Sequence, residues 1–295
     1  MLRRTLLAAA AAAGLGLAAG PVLAQTIVVG GKNFTEQQIM AEMTAQYLKS
    51  RGFSVDKRAG LGTAPLRQAQ EAGQVDVYWE YTGTSLITFN KVTDKMDAAA
   101  TYAKVKELDA ARGLVWLDPS KANNTYALAM RAADAKAKGI ASMSDLAAKV
   151  KGGTALKLAS NAEWYARPDG LKPLEQTYGF EFGRENVVRM DTGLVYQALR
   201  DSQVDVGLVF ATDGRVPAFD FVILRDDKGY FPTYAMTPVA RKDTLDKAPK
   251  LAEALNALSA KLDDATMAKL NASVDVDKKS IEEVAAGFLK SSGLV

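Results

Sequence analysis

Thr63-Ala-Pro-Leu-Arg-Gln-Ala-Gln-Glu-Ala-Gly-Gln-Val-Asp-Val77 and Thr192-Gly-Leu-Val-Tyr-Gln-Ala-Leu-Arg-Asp-Ser-Gln-Val-Asp-Val206 lie 129 positions apart and agree at seven of fifteen positions. Each reads as a helix capped by Thr, a turn, and then Gln-Val-Asp-Val entering a strand. Thr suits helix starts and Val suits buried strands anywhere, so shared local needs are one explanation. Two lobes of related design are the other, and seven matches in register favour it. Continued in the same register, Tyr81 falls opposite Phe210, which puts an aromatic ring just past the carboxyl end of each strand. In open α/β sheets that is where the ligand crevice lies, so facing lobes would bring both rings into one cleft. Asp76 and Asp205 belong to the repeat itself, which suggests a structural hydrogen-bonding role for each.

The rest of the chain continues the alternation of an α/β protein. Strands are expected at 26–31, 53–58, 75–79, 114–118, 125–131, 156–160, 187–190 and 220–224, with helices from Thr35 to about Arg51, over 63–72 and over 173–178. Beyond Thr244, Leu251, Leu255, Leu258 and Leu262 recur at helical spacing. Crossings between lobes are expected near Tyr126–Arg131 and Phe231–Val239, so that the C-terminal helices return to the first lobe. The expected division is a leader over 1–24, lobe I over 25–128 and 236–295, and lobe II over 129–235.

Met1–Gln25 combines Arg3 and Arg4, an apolar stretch from Leu6 to Ala19 and the small-residue site Val22-Leu23-Ala24. This predicts a cleaved export signal ending at Ala24, by the general or the twin-arginine route, and hence a periplasmic protein. No Cys follows that could carry a lipid anchor. The remaining 271 residues hold 35 basic and 34 acidic side chains. That balance, without a basic run, argues against nucleic acid as a partner.

The 295-residue chain has no His and no Cys. Ser-His-Asp, Cys-His and zinc-hydrolase chemistries are closed, and an enzyme would have to rely on carboxylates such as Glu80 and Glu163, on Lys or on Tyr. No cofactor motif and no metal-ligand cluster is present; Val29-Gly30-Gly31-Lys32-Asn33 lacks both Walker and dinucleotide-binding spacing. That loop, the helix start at Thr35 and the Lys32 ammonium suit one carboxylate instead. Tyr81, Tyr126, Phe210 and Tyr234 sit at strand ends or crossovers, and four converging rings would hold a cation lacking N–H donors.

Gly31-Lys32-Asn33-Phe34-Thr35-Glu36-Gln37, Leu61-Gly62-Thr63, Asp76-Val77-Tyr78-Trp79-Glu80-Tyr81-Thr82-Gly83-Thr84 and Ala211-Thr212-Asp213-Gly214-Arg215 resemble the periplasmic substrate-binding proteins of glycine betaine/choline-type osmoprotectant ABC importers. Asn123-Asn124-Thr125-Tyr126 and Leu270-Asn271-Ala272-Ser273-Val274 are similar to the low-affinity glycine betaine-binding branch. The resemblance implies a two-lobed, type II periplasmic binding protein fold without catalytic residues or cofactor, a monomer that delivers its ligand to an inner-membrane permease. It makes Tyr81, Tyr126 and Tyr234 cage walls, with Phe210 where many members have Tyr. Lys32, Thr84 and Arg167 would hold a carboxylate, and Asn124 stands where some relatives carry an acid near the ammonium. Three alternatives remain at this point: a binding protein for another zwitterion such as an amino acid, an exported carboxylate-dependent enzyme, and a sensor that does not serve transport.

Overall fold

A computed structural model describes residues 26–295; the expected leader and its cleavage after Ala24 lie outside the described residues. Ten strands run in chain order: β1 (Ile27–Lys32), β2 (Val55–Leu61), β3 (Val77–Tyr81), β4 (Leu114–Trp116), β5 (Tyr126–Arg131), β6 (Leu158–Ser160), β7 (Val187–Arg189), β8 (Val206–Phe210), β9 (Phe221–Ile223) and β10 (Met236–Arg241). They form two five-stranded sheets, ordered β2-β1-β3-β10-β4 and β7-β6-β8-β5-β9. In the first, β1 is parallel to β2 and β3, while β10 runs antiparallel to β3 and β4. The second repeats this pattern, with β6 parallel to β7 and β8, and β5 antiparallel to β8 and β9.

The sequence repeat is the matching piece of each lobe. Helix Thr63–Glu71 leads into β3 and helix Thr192–Arg200 into β8, and both strands are central in their sheets. The Val-Asp pair precedes each strand and holds it. Asp76 accepts the Val28 N–H at 2.8 Å while its own N–H reaches the Val28 carbonyl, and Asp205 repeats both bonds with Lys157. The two strands therefore begin at Val77 and Val206, two residues after Val75 and Val204. Thr63 and Thr192 are first helical residues rather than caps; the caps are Gly62 and Asp191, neither with a capping side-chain bond.

The first crossing differs from expectation. Tyr126–Arg131 lies wholly in the second sheet, with Tyr126 opposite Phe210, so the chain crosses before Tyr126 rather than at 128/129. Met236–Arg241 is a central strand of the first sheet, with Pro238 opposite Trp79. The return crossing therefore ends at Ala235. The crossing segments bond each other, Asn124 N–H to the Tyr234 carbonyl at 3.2 Å and Tyr234 N–H to Asn123 Oδ1 at 2.7 Å.

Helix Thr35–Ser50 is apolar on more than one face because it lies between the first sheet and helices Lys250–Ser259, Asp264–Asp275 and Ile281–Ser291. Ile39, Met40, Met43, Tyr47 and Leu48 are all fully buried, each worth about 1.5–3 kcal/mol of apolar burial. That packing fixes the start of the helix, and with it the Lys32–Glu36 turn, at the cleft.

Asp76 also accepts Thr244 Oγ1 at 2.7 Å and is buried, whereas Asp205 is half-buried. Asp76→Ala should lower unfolding free energy by about 1–3 kcal/mol, and Asp205→Ala by less, in urea denaturation. Equal losses would show that the Thr244 bond contributes nothing.

Candidate functional site

A cavity of about 610 Å³ opens between the two sheets. Seven of the eight side chains expected at a site line it: Lys32, Tyr81, Thr84, Asn124, Tyr126, Phe210 and Tyr234. β3 and β8 deliver Tyr81 and Phe210 at their carboxyl ends, and Tyr126 starts the antiparallel strand beside β8. Tyr126 lies 5.3 Å from both Phe210 and Tyr234, centroid to centroid, tilted to the first and edge-on to the second. Sequence reasoning missed a fifth ring, Phe34, which stacks 5.3 Å from Phe210 and 6.3 Å from Tyr81. Its place in the quoted Gly31–Gln37 stretch was the available signal.

Behind two of these rings stand buried carboxylates. Tyr81 donates its phenol proton to Glu36 Oε1 at 2.7 Å and accepts Gln37 Nε2 at 3.0 Å. Tyr234 donates to Asp169 Oδ2. Burial, and then the neighbouring carboxylate, pushes both phenols well above their ordinary range. Their protons are committed outward, so the rings offer faces to the cavity. A phenol donating to an anion also gains electron density, which strengthens the attraction of its face for a cation. Cations already exploit this: Lys32 Nζ lies 4.9 Å from the Tyr81 centroid and the Arg167 guanidinium carbon 5.5 Å from that of Tyr126.

Glu36 is the second residue that sequence reasoning missed. Its Oε1 accepts Tyr81 and Asn124, each at 2.7 Å, and its Oε2 accepts Thr212 at 2.6 Å and Asn271 at 3.2 Å. Full burial raises its pKa, and the four donors only partly offset the rise. Asn124 gives its amide nitrogen to this carboxylate and keeps a buried carbonyl oxygen without a protein partner.

The expected carboxylate-holding residues are more constrained than the sequence suggested. Lys32 Nζ already pairs with Glu80 Oε1 at 2.5 Å, and Glu80 also accepts the Tyr81 N–H at 2.7 Å and the Tyr78 phenol at 2.8 Å. Glu80 is thus fully buried and committed to three donors from its own lobe, a structural role. Arg167 is not among the lining residues, because its guanidinium forks onto Asp169 at 2.6 and 2.7 Å. Its remaining terminal nitrogen reaches Thr84 Oγ1 across the cleft at 3.5 Å. Glu163, the other carboxylate named above for an enzyme, lines the cavity 3.6 Å from Arg167.

Backbone donors also face the cavity. Helices Thr35–Ser50, Thr63–Glu71 and Thr192–Arg200 begin at the cavity, and none has a side-chain cap. Their first-turn N–H groups and dipoles favour an anionic group there. The cavity therefore offers ring faces suited to a desolvated cation and, beside them, backbone donors suited to a carboxylate.

Comparison with known proteins agrees with this geometry. The family described as the substrate binding domain of ABC-type glycine betaine transport systems matches residues 25–291. A glycine-betaine-binding protein of Pseudomonas aeruginosa is 47% identical over 291 residues, spanning 97% of this chain and 93% of its own. The glycine betaine-binding protein YehZ of Escherichia coli is 35% identical over 279 residues, 92% of each chain. The solved apo form of YehZ has a TM-score of 0.69 over 92% of this chain and 100% of that one, at 34% identity. A solved glycine betaine/carnitine/choline ABC transporter structure has a TM-score of 0.75 at 29% identity, over 91% and 99% of the two chains.

Tyr234 passes so close to Gly83 that a Cβ there would lie 2.8 Å from the Thr233 carbonyl and 2.9 Å from the ring. Gly83→Ala should destabilise the protein by about 1–3 kcal/mol in chemical denaturation and displace the Tyr234 ring. An unchanged midpoint would show that this close approach is not a constraint.

Proposed function

The chain belongs to the substrate-binding family of ABC-type glycine betaine transport systems, and from that premise we propose that it captures a quaternary ammonium solute, glycine betaine or choline, outside the cytoplasm and hands it to a membrane permease. It is a binding protein of an importer and not an enzyme. The observation that carries the ligand choice is the cage itself: five rings, two of them hydrogen-bonded outward to buried carboxylates. A trimethylammonium group has no N–H to satisfy, so ring faces serve it, with roughly 0.5–2 kcal/mol from each well-placed ring.

In this reading the ammonium lies among Tyr81, Tyr126, Phe210 and Tyr234, and Phe34 closes the cage from the Lys32–Thr35 turn. The carboxylate of a betaine points toward Thr84, Lys32 and the uncapped helix starts. Arg167, held by Asp169, meets it through the nitrogen that now reaches Thr84. Residues 26–125 with 236–295 act as one lobe and 126–235 as the other, hinged where Asn123–Asn124 pairs with Tyr234–Ala235. Ligand favours closure because its rings and donors come from both lobes. In this reading the leader expected at Met1–Ala24 directs the carrier to the periplasm, where it acts as a monomer; no described helix is long and apolar enough to cross a membrane.

One feature favours a second reading. The unpartnered carbonyl oxygen of Asn124 would suit a ligand with an N–H or O–H, such as an amino acid or the choline hydroxyl.

Trp79, Trp116 and Trp164 are buried and report on closure by fluorescence. Titration with glycine betaine and choline should give saturable changes, and amino acids should give none; a response to amino acids alone would replace the quaternary-amine assignment. Tyr126→Leu should weaken both quaternary amines by about 2–30-fold, the worth of one ring face. Arg167→Ala should raise the ratio of betaine to choline dissociation constants about tenfold or more. An unchanged ratio would remove Arg167 from the carboxylate site.

A further inference from the structure

The cleft contains one buried acid whose partners come from every moving part. Glu36 starts the helix Thr35–Ser50, and its donors are Tyr81 on β3, Asn124 in the first crossing, Thr212 just past β8 and Asn271 on helix Asp264–Asp275. Tyr81 is a cage ring, Asn124 lines the cavity, and Thr212 lies two residues beyond the cage ring Phe210. Asn271 also donates to the Thr212 carbonyl at 2.9 Å, and Arg215 reaches Asp275 at 3.3 Å along the same seam. Gly214 lies so near Ala268 and Ala272 that a Cβ would sit 2.5 Å from either, so the 211–215 loop is seated against that helix.

We propose that Glu36 is a positioning residue that joins lobe closure to cage assembly: Thr212 completes its hydrogen-bond set only when the second lobe arrives, and the completed set holds Tyr81 and Asn124 in place for the ligand. This rests on the cleft being the closing site proposed above. It also makes closure sensitive to one proton. Burial raises the Glu36 carboxyl in the closed form, whereas opening removes Thr212 and returns water. The closed form then holds a proton more tightly than the open one, so closure gains as pH falls through the raised value and the gain is absent well above it.

The lack of His and Cys makes that dependence readable. Among the described residues the acids pushed upward are Glu36 and Asp275, the latter by burial despite Arg215 and Thr35. The other ionisable groups at the seam are the Tyr81 phenol, Lys32 and the Asp213–Arg215 pair.

The test uses the mature protein with Lys95→Cys and Lys228→Cys, exposed positions that meet across the cleft rim, labelled with pyrene. Excimer emission of the ligand-free protein should rise between about pH 7.5 and about pH 5; choline, which does not titrate there, reports on the ligand site separately, because protonation of Glu36 also removes the anion that polarises the Tyr81 ring. Glu36→Gln, which is neutral at every pH and keeps one acceptor oxygen for the donors around it, should give a flat excimer profile. Asp275→Asn should retain the pH dependence. A flat wild-type excimer profile, or the same slope in Glu36→Gln, would overturn the role of Glu36. Absence of choline binding at every pH would instead strike the ligand assignment, and the excimer profile would still decide Glu36.

Discussion

A phenol that donates its proton to a buried carboxylate cannot offer that proton to a ligand, and this constraint organises the cleft. Tyr81 is committed to Glu36 and Tyr234 to Asp169. The two acids are themselves compensated, Glu36 by four neutral donors and Asp169 by the fork of Arg167. Neither acid presents a bare charge that would bind metal or water in the cleft. What reaches the ligand is polarised ring faces, which favour a desolvated cation without demanding a hydrogen bond from it.

The rest of the architecture serves that arrangement. Two sheets of the same topology each place an aromatic residue at the carboxyl end of a central strand, and the segments that carry the chain across and back each lead directly into an antiparallel strand, β5 and β10. Because Tyr126 begins one such strand and Tyr234 just precedes the other, the hinge and the cage share residues. The uncapped helix starts provide backbone donors that water or a ligand carboxylate can engage. A zwitterion would find ring faces and backbone donors lining the same cavity.

Much of this was legible in the sequence because it depends on short-range pattern. The Gln-Val-Asp-Val repeat located both central strands, and counting onward from it put Tyr81 and Phe210 at equivalent positions. No strand was expected at Met236–Arg241, which contains Pro238, a residue at odds with a central strand; here Pro238 pairs opposite Trp79 while its carbonyl still accepts the Leu117 N–H. Glu36 looked like an ordinary acid in a first helical turn, where the dipole favours one. Its donors lie 45, 88, 176 and 235 positions away, and no local spacing encodes such a set. Arg167 was read as a free clamp although Asp169, two residues on, takes most of its fork.

The most direct measurement of the central claim compares glycine betaine with its carbon isostere, 3,3-dimethylbutanoate, by calorimetric titration. The two share shape and carboxylate and differ in the charge at the quaternary centre. If outward-bonded tyrosines make the cage a cation site, betaine binds at least about tenfold more tightly, the equivalent of ~1.4 kcal/mol over the whole cage. Equal affinities would mean that shape and apolar contact alone select the ligand, and would contradict the account.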